Sequence, residues 1–237
     1  MSEIAESAWL MKAEPETRIV KGKDVAFSAT HLEKAGVEHW DGVRNHEAKN
    51  LMRDRMKVGD PVLFYHSNCK VPGISAIAKI HRAGYPDFTA FDPSHPYHDP
   101  KSSESSPTWY MVDVEFVSHL THFVPLKFLQ SLTEASHPIP LPEYITSEDL
   151  TAIREMALLN RGRLSVQPVS LQAFSAIKLL GERGGWDSLT AIDSNRNKRK
   201  SDATPASVSK SKKPKSSAES KTEVEALSTK RRTRSKR

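Results

Sequence analysis

Trp40-Asp41-Gly42-Val43-Arg44-Asn45-His46-Glu47-Ala48-Lys49-Asn50 is the stretch on which the reading of this chain turns. Asp41-Gly42 is a turn signal. The pattern after it predicts a helix from about Arg44 to Arg55, with Ala48, Leu51 and Met52 sharing one buried face. Arg44 and Asn45 then fall in the first turn, where backbone N–H groups lack intrahelical acceptors. Two readings stay open here. Either Trp40 is core and Arg44 a surface ion-pair partner, or an aromatic, a guanidinium and an amide gather beside free N–H donors to receive a planar polar ligand.

Downstream, Pro61-Val62-Leu63-Phe64-Tyr65-His66 reads as a strand, and Ile74 to Ile80 as another with Ile74, Ala76, Ala78 and Ile80 on one face. The polar loop between them, Ser67 to Gly73, suits a hairpin. Upstream, Ala8 to Lys12 is strand-like up to Glu14-Pro15, where proline stops pairing. Lys21-Gly22-Lys23-Asp24 is a turn leading to Val25 and Phe27, and Thr30-His31-Leu32-Glu33 has the spacing of a capping box for a short helix ending near Gly36.

Residues 84–108 form a long proline-rich loop, in which Tyr85, Phe88, Phe91 and Tyr97 argue for pinning against the domain. Trp109 to Val117 alternates as a strand, and a short helix follows to about Leu132. Ser147 opens a helix to Leu159, Arg163 to Val169 is strand-like, and Ser170 caps an amphipathic helix finishing near Gly181. Short strands interleaved with short helices, irregularly connected, predict an α+β fold: a small, mixed but mainly antiparallel β-barrel decorated by short helices.

Charge divides the chain. Residues 194–237 hold fifteen Lys and Arg against four Asp and Glu, a net of +11, so with +6 overall residues 1–193 carry −5 (6 − 11). The tail lacks aromatics and cannot bury enough apolar surface to offset its ordering entropy. The expected division is therefore a flexible N-terminus over 1–7, one domain over 8–186, and a disordered basic tail over 187–237. Within that tail Lys198-Arg199-Lys200 and Lys212-Lys213-Pro214-Lys215 have the pattern of a bipartite nuclear import signal. Such a tail also attracts polyanions.

Cys69 is the single cysteine, which precludes an intrachain disulfide and fits a reducing compartment. The N-terminus lacks the charged and apolar regions of a signal peptide, and no apolar run approaches the roughly 20 residues of a membrane span. The sequence contains no Walker loop, GxGxxG, HExxH or GxSxG pattern, which removes the usual nucleotide-hydrolysing, dehydrogenase and hydrolase frameworks. A thiol enzyme using Cys69 with His66 as base would need these two residues to fold back on each other, with no third orienting group in view. His95–His98 and His119–His122 have a ligand-like spacing without a partner cysteine cluster, and read as solvated histidines.

Trp9-Leu10-Met11-Lys12-Ala13-Glu14-Pro15, Trp40 to Asn45, Phe64-Tyr65-His66-Ser67-Asn68, Ala90-Phe91-Asp92-Pro93, Asp99-Pro100-Lys101-Ser102, Trp109 to Val114 and Arg163 to Val169 together resemble the EVE domain, in particular that of the thymocyte nuclear protein family. The resemblance runs from about Trp9 to Phe174. It implies a PUA-like fold and a non-catalytic nuclear reader that takes a modified base, oxidised or methylated cytosine in DNA or a modified base in RNA, into an aromatic-walled pocket. Carried over by motif, the pocket residues are Lys12, Trp40, Arg44, Asn45, Tyr65, His66, Ser67, Asn68 and Ser165. The implied partners are nucleic acid and an import receptor, for a monomer without cofactor, metal or membrane. Ala13 stands where the family commonly has a hydroxyl residue, and His46 where it commonly has tyrosine. The rival readings are an enzyme acting on a modified base through Cys69 and His66, and a pocket for a metabolite or peptide. Set beside the other motifs, the Trp40–Asn50 stretch reads as one wall of a shared pocket.

Overall fold

The protein is described by a computed structural model covering residues 7–134 and 141–186. In chain order the strands are β1 (Ala8–Ala13), β2 (Ile19–Val20), β3 (Lys23–Asp24), β4 (Val37–His39), β5 (Pro61–His66), β6 (Gly73–Pro86), β7 (Tyr110–Pro125) and β8 (Val166–Val169). The helices are α1 (Ala29–Ala35), α2 (His46–Asp54), α3 (Leu126–Ser131), α4 (Ser147–Arg154), α5 (Ala157–Asn160) and α6 (Leu171–Arg183). A 3₁₀ turn spans Phe88–Ala90. The basic clusters at Lys198, Arg199, Lys200, Lys212, Lys213 and Lys215 lie outside the described residues.

Six strands form one sheet in the order β4-β7-β6-β5-β1-β8. All its ladders are antiparallel except β1 with β5, which runs parallel and sets Lys12 opposite Tyr65 and Ala13 opposite His66. That register brings residues 12–14 and 65–68 to the same end of the sheet. The two edge strands do not pair with each other. Instead α2 touches β6, β7 and β8, so a helix bridges the sheet's two ends and completes the barrel-like wall.

β1 is buried on both faces, which explains its nearly continuous apolar run. Ala8 and Leu10 join Leu63, Ile74, Leu129, Ile153 and Ile177 in a core beneath α3, α4 and α6, where Trp186 stacks on Phe128 at 4.3 Å. Trp9 and Met11 face the other way, into a core with Leu32, Met52, Phe64, Ile80 and Val114 beneath α1 and α2. The Trp9 indole N–H donates to the buried Asp60 carboxylate at 2.8 Å, so its one polar group is satisfied.

Several boundaries differ from the sequence reading. The capping box lies two residues earlier than expected. Ser28 accepts from the His31 N–H at 3.3 Å, and the His31 imidazole accepts from the Ser28 N–H at 3.1 Å, so α1 starts at Ala29. α2 starts at His46 rather than Arg44, because Asn45 is its N-cap and accepts from the Ala48 N–H at 3.0 Å. β6 and β7 run longer than expected. Register shifts at Ile74/Ala76, Ile77/Ala78, Ile80/Arg82 and Arg82/Tyr85 break their alternation, so the sequence pattern fades before the strands end. The helix expected from Ser147 to Leu159 is two helices, parted where Met156 takes extended dihedrals (φ −56°, ψ 130°).

A cleft beside Trp40

A cleft of about 490 Å³ opens where the end of β1, the β2–β3 hairpin, the Trp40–Arg44 segment and the loop before β7 meet. Lys12, Phe27, Trp40, Asp41, Tyr97 and Ser165 are among its lining residues. Its size is in the range of small-molecule sites and ample for one nucleobase.

Trp40 is held by its own backbone, whose N–H donates to the Val112 carbonyl at 2.8 Å. Its ring sits edge-to-face against Phe64 at 5.5 Å and Phe27 at 6.0 Å, and only 6% of the residue is exposed. Most of that indole is core, and only its rim reaches the cleft. The half-buried Phe27 supplies more of the apolar wall.

Arg44 lines the cleft but its fork is occupied. Nε and Nη2 donate to the Tyr97 carbonyl at 2.8 and 2.5 Å, and Nη1 donates to the Asp87 carboxylate at 2.7 Å. The guanidinium also lies 5.4 Å from the Trp109 ring. Asp87 accepts from the Gly42 N–H at 3.2 Å as well. Burial alone raises the Asp87 carboxyl, but hydrogen bonds from Thr89, Arg44 and Gly42 outweigh it, and the net shift is downward. Gly42 has φ +69°, and a Cβ there would stand 2.5 Å from the Tyr97 ring, so conformation and space both demand glycine.

Asp41 turns the other way electrostatically. Burial, then the neighbouring Asp87 charge, raises its carboxyl above the ordinary value, with His95 Nε2 at 3.5 Å from Oδ2 pulling against them. On the opposite wall Lys12 donates from Nζ to the Gly162 carbonyl at 2.8 Å, and burial lowers its pKa. Its backbone N–H donates to the Ser165 carbonyl at 2.9 Å, which ties the two together at the cleft.

The structure therefore brings four of the sequence-derived residues to one cleft: Lys12, Trp40, Arg44 and Ser165. The other five stand outside its lining. Asn45 caps α2 and borders a separate polar depression of about 370 Å³ with Glu47, Arg161 and Arg163. Tyr65 is 3% exposed, belongs to the core under α3, α4 and α6, and has its phenol pushed up to about 12 by burial. The His66 Nε2 accepts from the Ala29 N–H at 3.1 Å, so it serves the start of α1. Ser67 Oγ donates to the Ala13 carbonyl at 3.1 Å. Asn68, in the left-handed region at φ 50°, donates to Glu14 Oε2 at 3.3 Å. Ser67 and Asn68 thus brace Ala13 and Glu14.

Phe27, Asp41, His95 and Tyr97 line the cleft without having been singled out for it. Only the clustering of aromatics in the proline-rich loop hinted at Tyr97. Of the two departures from the family pattern, Ala13 lines the cleft, whereas His46 stacks on Trp109 at 4.9 Å. The Cys69 thiol donates to the Val71 carbonyl at 3.4 Å, and burial raises its pKa, the opposite of an activated thiolate. Among the described residues no group of three or more His, Cys, Asp or Glu could hold a metal ion, and no helix is long and apolar enough to cross a membrane.

A mixed sheet bridged by a helix, with a cleft at one end, defines the class: the sequence matches the EVE domain family over residues 7–179, and the chain belongs to that family. Among individual proteins, it is 42% identical over 179 residues to human thymocyte nuclear protein 1, covering 75% of both chains. The crystal structure of human THYN1 protein in complex with 5-methylcytosine-containing DNA is similar at a TM-score of 0.64 and 42% identity, covering 75% of this chain and 98% of that one. A hypothetical protein from Leishmania major is similar at a TM-score of 0.58 and 36% identity, over 80% of this chain and 96% of that one.

Proposed function

We propose that this protein is a non-catalytic reader that binds DNA through a methylated or oxidised cytosine held in the cleft at Trp40. The observation carrying this reading is the convergence on one cleft of an aromatic wall, Phe27 with the rim of Trp40, and of the polar groups of Lys12, Asp41 and Ser165. It is strengthened by the solved complex of the human relative with 5-methylcytosine-containing DNA.

Moving a base out of a duplex costs a few kcal/mol, which stacking and hydrogen bonds to the base edge must offset. Phe27 supplies the stacking surface, with the rim of Trp40 beside it. Asp41 is the acceptor for the exocyclic amine of cytosine, a donor that thymine lacks. Lys12 and Ser165 read the carbonyl edge or the adjoining phosphate. Arg44 shapes the wall rather than touching the base, since its donors already hold Asp87 and Tyr97.

In this reading the domain is 8–186, acts as a monomer, and residues 187–237 serve nuclear import and tether the protein to nucleic acid. A nuclear location agrees with the name of the human relative. The deciding experiment is a binding panel of DNA and RNA oligonucleotides bearing cytosine, 5-methylcytosine and its oxidised forms. The expected result is preference for a modified cytosine in DNA, with Asp41→Asn weakening binding about ten-fold to modified and unmodified cytosine alike, since both carry the exocyclic amine. Equal affinity for modified and unmodified DNA at physiological salt would overturn the proposal.

A further inference from the structure

Among the described residues Phe88 is the one phenylalanine or tryptophan whose side chain is exposed, at 50%. Isolated exposed apolar side chains are ordinary on protein surfaces. The position of this one is not. It opens the 3₁₀ turn Phe88–Ala90, whose N-cap Asp87 accepts from the Thr89 N–H at 3.0 Å and the Thr89 hydroxyl at 2.6 Å. The same carboxylate, itself completely buried, holds Gly42 and Arg44. The turn carrying Phe88 and the wall carrying Trp40 are thus fastened to one anchor.

The Phe88 ring also lies edge-on to His39 at 5.4 Å, and His39 lines the cleft immediately before Trp40. His39 is fixed in turn, with Nδ1 2.9 Å from both Asp113 Oδ1 and the Tyr85 hydroxyl. Over the Tyr85 ring, at 3.7 Å, sits the guanidinium of the exposed Arg82. Next to the cleft residue His39 the surface therefore presents a phenyl ring and, on the Tyr85 that His39 contacts, a cation.

A protein that takes one base out of a duplex leaves a gap in the stack, and apolar side chains inserted between base steps stabilise such distorted DNA. We infer that Phe88 is a wedge that fills the space a base vacates when it enters the cleft, with Arg82 meeting the neighbouring phosphate. This inference rests on the reading of the cleft as a base site. It goes further in requiring double-stranded DNA as the substrate of this surface and in assigning strand opening to a residue outside the cleft.

The test measures binding of the full-length chain and its Phe88→Ala and Phe88→Trp variants to two probes. One is a duplex with a central 5-methylcytosine opposite guanine, and the other is the methylated strand alone. The expected result is that Phe88→Ala binds the duplex about ten-fold more weakly, a typical loss for one stacking contact. Its single-strand affinity should be unchanged, and Phe88→Trp should restore duplex binding. A 2-aminopurine placed beside the methylated position should brighten on binding wild type and not Phe88→Ala. Equal losses on both probes, or no loss on the duplex, would overturn the wedge while leaving the cleft reading intact. If wild type prefers neither a methylated nor an oxidised cytosine over cytosine in either probe, the cleft reading itself fails, and the wedge with it.

Discussion

Arg44 and Tyr97, 53 residues apart in the chain, are joined by two hydrogen bonds from one guanidinium to one main-chain carbonyl, at 2.8 and 2.5 Å. With Asp87 on the third donor, this fork fastens the proline-rich loop to the segment after Trp40. A loop of this length without regular structure would otherwise carry considerable conformational freedom. Here it forms a cleft wall.

Arg44→Lys tests that relationship. Lysine keeps the charge but cannot present the planar fork, and it leaves Asp87 buried with its partner weakened. The expected cost is about 3 kcal/mol of stability, read as a lowered urea midpoint at unchanged slope. Modified-base binding should weaken as the loop loosens. A variant as stable as wild type would show that the fork does not carry the loop.

Trp40 and Phe27 should separate under mutation, because one is mostly core and the other half-buried. Trp40→Ala removes a packed indole and is expected to cost about 3–5 kcal/mol along with binding. Phe27→Leu keeps most of the apolar volume and should cost less than about 1.5 kcal/mol while markedly reducing base preference. Thermal unfolding beside the binding panel distinguishes them. Intact preference in Phe27→Leu would remove Phe27 from the site.

His66 links pH to stability. Burial, then the nearby His119, lowers its pKa from the ordinary 6.5, and its Nε2 accepts the Ala29 N–H in the neutral form. The folded state thus binds the proton less readily than the unfolded chain, so stability is full above the unfolded pKa and falls as pH drops below it. His66→Gln, which keeps an acceptor without titrating, should show a smaller loss between pH 7.5 and 5.5 in denaturant titrations. An identical pH dependence would clear His66 of this role.

The basic tail makes a prediction in salt. Residues 194–237 carry fifteen of the 35 Lys and Arg residues, on a chain whose remainder is net negative. Deleting them should weaken DNA binding overall and flatten its dependence on salt, because fewer counterions are released. The preference for the modified base should persist. A salt slope unchanged by the deletion would rule out the tether.

The sequence by itself determined what depends on local pattern. The apolar run of β1, the run of β formers in β5, the alternation that opens β7 and the N-cap at Ser170 are all local signals, and each lies where its pattern placed it. The motifs were also enough to identify the family. What only the tertiary structure decided is which motif residues face the same space. Tyr65 is two positions beyond Leu63 on β5, so strand alternation turns both into the core opposite Phe64 and sends Tyr65 away from Trp40. Asn45 caps a helix and Arg44 grips a loop, both through partners invisible in the linear chain. Phe27, Asp41 and Tyr97 reach the cleft because a parallel β1–β5 pair, a short hairpin and a long loop end at one corner of the sheet. Side-chain chemistry is written in the sequence, but the direction in which a side chain points is set by register and by long-range packing.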